Sequence, residues 1–186
     1  NTTKNKKAIQ QAYSYMVKRH EILRTVFLSE KGTPKQKISE NPDPVVTYID
    51  VRGIDNREEE ARSLAEKEIM TPFNLEQGPL IRLTLVRLKD DKHLMIFTMH
   101  HIISDAWSIG IFTGEFLEAY NSYTGNRPPG SGPLRIQYKD YSAWHNELLE
   151  SPEMDNQRNY WLEKLSGEIP VLNLPGDRTR PGVQTF

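Results

Sequence analysis

The chain has 186 residues, which is enough for one domain with a sizeable core and too few for two ordinary domains. Its formal net charge of -1 offers no electrostatic attraction for nucleic acid or an anionic membrane surface, so we expect neither as a partner. Cysteine is absent, which excludes disulfide bonds and thiolate metal sites and is compatible with a reducing cytosol. We therefore expect a cytoplasmic protein.

The sequence carries no targeting or membrane signal. No apolar run approaches the roughly 20 residues that a helix needs to cross a bilayer, and no signal-peptide core follows Asn1. The first residue is not methionine, and the sequence stops at Phe186 without an evident terminus. We interpret the chain as a piece of a longer protein.

Signals for helix and strand alternate along the first 40 residues. Lys4–Arg19 carries apolar residues at helical spacing, which predicts an amphipathic helix. The residues that follow, up to Glu30, are rich in Leu, Val and Phe and predict a strand. Residues 32–34 (Gly-Thr-Pro) predict a turn, after which Lys35–Ile38 would pair back as a short strand.

A further strand, a helix and a third strand follow. After a polar loop, Val45–Val51 has the composition of a strand. Asp55 and Glu58 have the spacing of a capping box, so we expect a helix to begin there and to end at Pro72. The next predicted strand, Leu80–Leu88, alternates apolar and polar residues well enough to be half-buried.

A hairpin is then predicted to deliver two histidines to the end of a buried strand. Lys89–Lys92 would form its solvated turn. Leu94–Met99 is a nearly unbroken apolar run with the length and character of a strand buried on both faces. His100 and His101 stand at its end, and Asp105 follows four residues after the second histidine. A strand that delivers an imidazole to its end, next to the N-terminus of a helix, is a recurring way to mount a catalytic group on a rigid scaffold.

The remaining third of the chain is predicted to be mostly helical. Two helices are expected at about Tyr138–Leu149 and Met154–Leu165. Thr124–Pro133 has too much Pro and Gly for regular structure, and the Pro-rich tail after Gly167 is expected to be extended. The helix after Asp105 has one apolar stripe, formed by Ile109, Phe112, Phe116, Ala119, Tyr120 and Tyr123. Helices and strands are thus interspersed without an internal repeat, which favours an α/β layer over a bundle or a sandwich.

The histidine segment also has plainer interpretations. His101 taken alone would more often be a buried histidine with satisfied hydrogen bonds. Asp105 is a favoured N-cap residue and would be explained as the start of the helix. A metal site built from His100, His101 and Asp105 is disfavoured, because adjacent strand residues diverge and the spacings typical of zinc ligands are absent.

Several segments resemble the motifs of one known family. MHHIISDAWSIG, residues 99–110, closely resembles the HHxxxDG motif of condensation domains from nonribosomal peptide synthetases, members of the chloramphenicol-acetyltransferase-like superfamily. RHEILRTVF, residues 19–27, is similar to the family's second motif, and YKDYSAWHN, residues 138–146, to its fourth. PFNLEQGPLIR, residues 72–82, and LPGDRTRP, residues 174–181, are also similar to segments of these proteins. Several motifs in the family's order make the resemblance specific.

The resemblance implies an α/β fold, a chloramphenicol-acetyltransferase-like lobe in which helices cover a mixed sheet. Residues 1–186 would form the N-terminal lobe of a condensation domain, with an internal loop at residues 124–133. The family's opening motif would lie upstream of Asn1, and the whole C-terminal lobe would lie beyond Phe186. Because the active site of this superfamily lies between two lobes, we expect this lobe to expose a face that the other covers.

The activity implied by the resemblance is amide-bond formation in the biosynthesis of secondary metabolites such as antibiotics. The amine of an acceptor aminoacyl thioester attacks the carbonyl of a donor thioester, and each is carried on the phosphopantetheine arm of a peptidyl carrier protein. The expected partners are the donor and acceptor carrier proteins, the C-terminal lobe and an adjacent adenylation domain. The lobe itself is expected to bind no cofactor and no metal.

The resemblance also assigns roles to individual residues. The family's catalytic histidine falls on His101, which would act as a general base or position the amine. His100 points the other way in an extended chain and would have a supporting structural role. Asp105 corresponds to a structural carboxylate that pairs with an arginine and holds the loop. We expect Arg24 to be that partner, with Arg19 as the second candidate and an arginine of the C-terminal lobe as the remaining alternative.

The residues after Asp105 depart from the family pattern once. Ala106 stands where the family usually has glycine. Alanine keeps the backbone N–H, so an oxyanion donor at the helix N-terminus survives. Trp107 is expected to pack, and Ser108 either lends its hydroxyl to the reaction or simply occupies the first helical turn.

Related activities on the same scaffold are less well supported. The main alternative is a non-catalytic condensation-like domain that recruits carrier proteins or tailoring enzymes, and the intact His101 and Asp105 argue against it. Epimerisation domains share the HHxxxDG motif, but the Trp-Ser order after Asp105 and the RHEILRT segment are closer to condensation domains. Heterocyclisation domains replace the histidines with aspartate, which this chain does not.

Overall fold

The computed structural model describes residues 2–168 and residue 170. The chain divides into two compact units, residues 1–142 and residues 143–186. The predicted extended tail after Gly167 and the segment 174–181 lie outside the described residues, apart from Glu168 and Pro170.

The first unit interleaves helices and strands, which confirms the predicted α/β class. A 3₁₀ turn at Glu21–Arg24 separates the first helix from the first strand. The elements in order are α1 (Thr2–Arg19), β1 (Thr25–Glu30), β2 (Thr33–Ile38), β3 (Val46–Asp50), α2 (Arg57–Met70), β4 (Ile81–Arg87), β5 (His93–Met99) and α3 (Ala106–Thr124). Helix α4 (Tyr138–Leu149) begins in this unit and ends in the second, which also contains α5 (Pro152–Lys164).

The strands form a two-stranded and a three-stranded sheet. β1 and β2 form an antiparallel hairpin. In the other sheet, β4 lies between β3, to which it is parallel, and β5, to which it is antiparallel. The β4–β5 pairing runs from Ile81 opposite Met99 to Arg87 opposite His93, so the predicted hairpin and the predicted mixed sheet are both confirmed.

The burial of the two hairpin strands is the reverse of the prediction. β4, expected to be half-buried, is the central strand and is almost entirely buried. Its residues Ile81 and Leu83 join the core below α1 and α3, while Val86 joins a second core below α2. β5, expected to be buried on both faces, is only partly covered, and Leu94 is 36% exposed. A central strand is paired along both edges, and here helices cover both of its faces. A short apolar run does not by itself indicate which strand is central.

Helices α1 and α3 pack on the face of the three-stranded sheet that carries Phe97 of β5. Phe97 of β5 makes edge-to-face contacts with Phe112 and Phe116 of α3, with ring centroids 5.1 and 5.0 Å apart. From α1, the Tyr13 hydroxyl donates a hydrogen bond of 3.1 Å to the carbonyl of Ile81, and burial raises the pKa of this phenol. The buried members of this core are Ala12, Tyr13, Met16, Val17, Leu23, Leu80, Ile81, Leu83, Ile103, Phe112, Phe116 and Ala119.

Two local turn and cap predictions are wrong by a few residues. Helix α2 begins at Arg57, so Asn56 rather than Asp55 precedes it, and the Glu58 carboxylate pairs with Lys92 at 2.7 Å instead of closing a capping box. The turn of the first hairpin uses Lys31 and Gly32, whose φ angles are 52° and 84°, so residues 33 and 34 already belong to β2. Tertiary contacts and turn geometry decide such boundaries.

The loop before β4 holds the β1–β2 hairpin in place. The carbonyl of Leu75 accepts a hydrogen bond of 2.8 Å from the backbone N–H of Phe27 in β1. The Asn74 side-chain oxygen accepts two hydrogen bonds of 3.0 Å from the backbone of the next turn, which fixes the loop. Gly78 has a φ of +63°, and a Cβ there would lie only 2.9 Å from Cγ1 of Val26. This position therefore requires glycine.

The two C-terminal helices confirm the predicted ones, although α5 begins two residues earlier and ends one residue earlier than expected. In the second unit, Trp144, Tyr160 and Trp161 are all exposed. Among the helices in the described part of the chain, none is both long and apolar enough to span a membrane.

Candidate functional site

The chain turns sharply between the end of β5 and the start of α3. The backbone N–H of His100 still bonds to the carbonyl of Leu80 at 3.0 Å, so the pairing with the β4 side continues one residue past Met99. The carbonyl of His100 then accepts from the N–H of Ile103 at 3.1 Å, and the chain reverses. The predicted placement of His101 just beyond the strand is confirmed.

His100 stabilises this turn. Its Nδ1 accepts a hydrogen bond of 3.0 Å from the backbone N–H of Ile102. Because Nδ1 accepts, the proton of the neutral ring is on Nε2. The ring also meets Phe73 edge-on, with the centroids 5.9 Å apart. These contacts are those expected of a supporting histidine.

His101 lies in the turn with its side chain exposed. It is not a buried histidine of a closed core, which was the plainer alternative. His101 is among the nearby groups that lower the pKa of the Asp105 carboxyl. An imidazole on an open surface at the end of a rigid strand is accessible to reactants.

Asp105 is the N-cap of α3. Its Oδ1 accepts a hydrogen bond of 2.8 Å from the N–H of Ser108, and its own N–H donates to the Ser108 hydroxyl at 2.7 Å. Together these bonds form a capping box, which ends the turn and starts the helix. The hydrogen bonds from Ser108, followed by the nearby His101, lower the pKa of Asp105, so the carboxylate stays ionised in neutral solution.

The predicted pairing of Asp105 with an arginine is not formed among the described residues. Arg24 bonds to the carbonyl of Ser39 and lies 3.5 Å from the Glu21 carboxylate. Arg19, the second candidate, pairs with Glu115 at 3.0 Å. Arg24 thus pairs with a carboxylate in its own 3₁₀ turn, and Arg19 pairs with one on α3. Asp105 organises the loop through Ser108 instead.

The residues after Asp105 begin helix α3. Ala106 is its first residue, and Ser108 is explained by the capping box, where its hydroxyl is already engaged. The prediction that Trp107 packs is wrong, because this residue is 81% exposed. Ile111, one turn further along, is also exposed, so an apolar strip borders the histidine turn.

Sequence reasoning missed a charged cluster on α3. Oε2 of Glu115 lies 3.0 Å from Nε of Arg19 and 2.6 Å from Nε2 of His20. Burial tends to raise the pKa of Glu115, but its hydrogen bonds to Arg19 and His20 prevail and hold the pKa below its usual range. The signal was available, because Glu115 is three residues after Phe112 and four before Ala119, which places its charge at the edge of the apolar stripe of α3.

The cavities around the turn are small. One of about 140 Å³ lies beside it, and His101 is not among its lining residues, which are His20, Ile22, Leu23, Met99, Ile103, Ser104, Ser108, Ile111 and Phe112. A larger cavity, of about 470 Å³, is lined by β1, β4 and the loop at residues 41–45, away from the histidines. The described residues contain no group of three or more side chains arranged to hold a metal ion.

The comparison with protein families agrees with this fold. A model of the condensation domain matches residues 2–186. The chain therefore belongs to the condensation-domain family, whose fold is the chloramphenicol-acetyltransferase-like one.

Its relatives are peptide synthetases. The chain is 41% identical over 182 residues to gramicidin S synthase 2 of Brevibacillus brevis, covering 98% of this chain and 4% of that protein. It is 37% identical over 182 residues to malpinin synthetase of Mortierella alpina, covering 98% of the chain and 2% of that protein. The chain thus spans only a few per cent of the length of these relatives.

Solved structures show the same fold. The X-domain from teicoplanin biosynthesis, in a complex with OxyB, superposes with a TM-score of 0.83 at 27% identity, covering 96% of this chain and 39% of that one. The epimerization domain from the third module of tyrocidine synthetase B gives a TM-score of 0.80 at 25% identity, covering 94% and 40%.

Proposed function

We propose that this chain is the N-terminal lobe of a condensation domain that forms amide bonds between carrier-bound thioesters in nonribosomal peptide synthesis. The observation that carries the proposal is the exposed imidazole of His101, held between the end of β5 and the capped start of α3. The sequence likeness to synthetases supports it.

The reaction needs a group that handles one proton. The attacking amine must be unprotonated, and it loses a proton as the amide forms. A neutral imidazole, with an ordinary pKa near 6.5, is suited to accept that proton or to position the amine through a hydrogen bond. The donor thioester is already activated, so no serine or cysteine nucleophile is required, in keeping with a chain that has no cysteine.

The start of α3 can stabilise the oxyanion of the tetrahedral intermediate. The N–H of Ser108 is already bonded to Asp105, whereas the Ala106 N–H is in the first helical position. The first N–H groups of a helix have no partner within it, and the helix dipole adds positive potential there. We assign the Ala106 N–H as the oxyanion donor.

The partners follow from the same proposal. Donor and acceptor carrier proteins would bring the substrates on phosphopantetheine arms, so this lobe needs no cofactor of its own. A C-terminal lobe would cover the exposed strip of Trp107 and Ile111 and complete the cleft around His101. An adenylation domain in the same synthetase would load the acceptor carrier.

The test is to replace His101 in a synthetase module that contains this lobe and both loaded carriers. We expect His101→Ala to reduce peptide formation by about 10² to 10⁴-fold, the usual contribution of a general acid or base, while the fold is retained. His93→Gln is the matched control, because His93 is at the opposite end of the same strand, about 20 Å away. Wild-type turnover by His101→Ala would end the assignment.

A second candidate function is recruitment of another enzyme without catalysis. The likeness to an X-domain in a complex with OxyB favours it. In that case His101→Ala would leave peptide output unchanged, and substitutions on the exposed surface would abolish binding of the recruited enzyme. The same module assay therefore separates the two functions.

A further inference from the structure

Glu115 connects α3 to the C-terminal end of α1. Its Oε2 lies 3.0 Å from Nε of Arg19, its Oε1 lies 3.3 Å from Nη2 of the same guanidinium, and His20 approaches Oε2 at 2.6 Å. The bidentate arginine pair fixes the carboxylate in direction as well as in distance.

These groups are largely withdrawn from solvent. The side chains of Arg19, His20 and Glu115 are only 10%, 19% and 21% exposed. Interactions in such a setting are screened less by water and salt than surface ion pairs are.

The α1 side of this contact is itself anchored. The Arg19 guanidinium also donates to the carbonyl of Gly132, and the Arg19 carbonyl accepts from the side chain of Gln137 at 2.9 Å. The oxygen of the Gln137 side chain in turn accepts from the N–H of Glu21 at 3.0 Å. Gly132 therefore holds the guanidinium of Arg19, and Gln137 holds its backbone. Glu115 pairs with a side chain whose position is already set.

The apolar contacts between α3 and the sheet are less directional. Phe112 and Phe116 pack on Phe97, and apolar contacts of this kind permit small rotations and shifts of the helix. The ion pair does not, because its geometry is specific. Glu115 is ten residues after Asp105, about 15 Å along the helix. A rotation of α3 about its axis would therefore carry the capped start of the helix, and the turn before it, with it.

We propose that Glu115 is a positioning residue for His101, acting by fixing the rotation and axial position of α3 against Arg19 and His20. The proposal deepens the proposed function and rests on it, because the position of His101 matters only if His101 takes part in the reaction. Glu115 itself touches no reacting atom.

The experiment compares two glutamates in the same synthetase module with both carriers loaded. Glu115→Gln removes the negative charge that pairs with Arg19 and His20. Glu68→Gln is the matched control, since Glu68 of α2 pairs with Arg82 at 3.1 Å with a similar exposure of 26%, on the other face of the sheet. We expect Glu115→Gln to lower kcat by about ten- to a hundredfold, as a shift of about 1 Å would. The KM for the acceptor carrier should stay unchanged in both variants, and kcat should fall only in the first.

A chemical readout follows His101 directly. Diethyl pyrocarbonate modifies accessible imidazoles, and peptide mass spectrometry of the resting module gives the rate at His101. Glu115→Gln should change that rate several-fold, whereas Glu68→Gln, with a similar loss of Tm, should not. Equal kcat values and equal modification rates in the two variants would overturn the proposal.

Two further variants keep the outcome decisive. If Glu115→Gln is insoluble, Arg19→Lys retains the charge but loses the bidentate geometry, and the same drop in kcat at constant KM is expected. Wild-type behaviour of that variant would also overturn the proposal. His101→Ala separates the proposed function from this inference. Full activity of that variant would refute the role of His101 in the reaction. The modification rate of His101 in Glu115→Gln would still report whether Glu115 positions the turn.

Discussion

The glycine at position 78 offers a test of how the β1–β2 hairpin is held against the sheet. A Cβ at Gly78 would lie 2.9 Å from Cγ1 of Val26, and the residue has a φ of +63°. An L-residue in this left-handed region costs about 1–2 kcal/mol relative to glycine, and overpacking a fitted contact costs about 1–3 kcal/mol. Val26 is β-branched, so its methyl group has few other rotamers to adopt. We therefore expect Gly78→Ala to lower the free energy of unfolding by about 2–5 kcal/mol.

Guanidinium unfolding of the condensation domain, followed by tryptophan fluorescence, measures this loss, and Val26→Ala separates its two causes. Removing the valine methyls relieves the contact but not the backbone strain, so in that background Gly78→Ala should cost only about 1–2 kcal/mol. Gly53→Ala is the control, because a Cβ there meets nothing within 4 Å, and it should be neutral or stabilise by about 0.4–1 kcal/mol. A loss below about 1 kcal/mol, or equal losses in both backgrounds, would refute the reasoning.

Three more predictions concern the histidine turn and its surroundings. Asp105→Ala should lower both Tm and peptide formation because the capping box is lost, whereas Asp105→Asn, which keeps an acceptor at the N-cap, should retain most of both. The pKa of Glu115 is lowered in the folded state, so its contribution to stability is present above the ordinary pKa of a glutamate and is lost as the pH falls through the folded value. Wild-type Tm should accordingly fall more steeply below about pH 4.5 than that of Glu115→Gln, and parallel curves would contradict the pairing. Residues 1–186 purified alone should form little or no peptide and should self-associate through the exposed Trp107 and Ile111, so sedimentation of Trp107→Ser should show less association than wild type.

The predictions that held were those with a local cause. The β4–β5 hairpin followed from two apolar runs joined by a charged turn, and α3 followed from an apolar stripe behind an aspartate. The location of His101 past the strand end and of Asp105 at the helix start needs only the order of residues along the chain. Such features depend on neighbours within one turn or one hairpin.

Apart from the boundaries of one turn and one helix cap, the predictions that failed depended on how elements pack together. Arg24 and Arg19 were assigned to Asp105 because of charge and family pattern, but their partners are set by how α1 packs on α3 and by the turn that follows it. Trp107 was expected to pack, but it is 81% exposed. The exposure of a side chain depends on which other elements fold against it, and the local sequence does not show this.

The sequence by itself therefore determined the elements, the histidine turn and the family, because periodicity, turn residues and motif order are written along the chain. Only the tertiary structure decided that β4 rather than β5 is the central strand and that Glu115 meets Arg19 and His20. Both depend on contacts between residues far apart in sequence: Glu115 and Arg19, for example, are separated by 96 positions. The sequence shows which side chains are charged and need an ion-pair partner, and which are apolar and tend to be buried. The packing of the elements decides which residues become their neighbours.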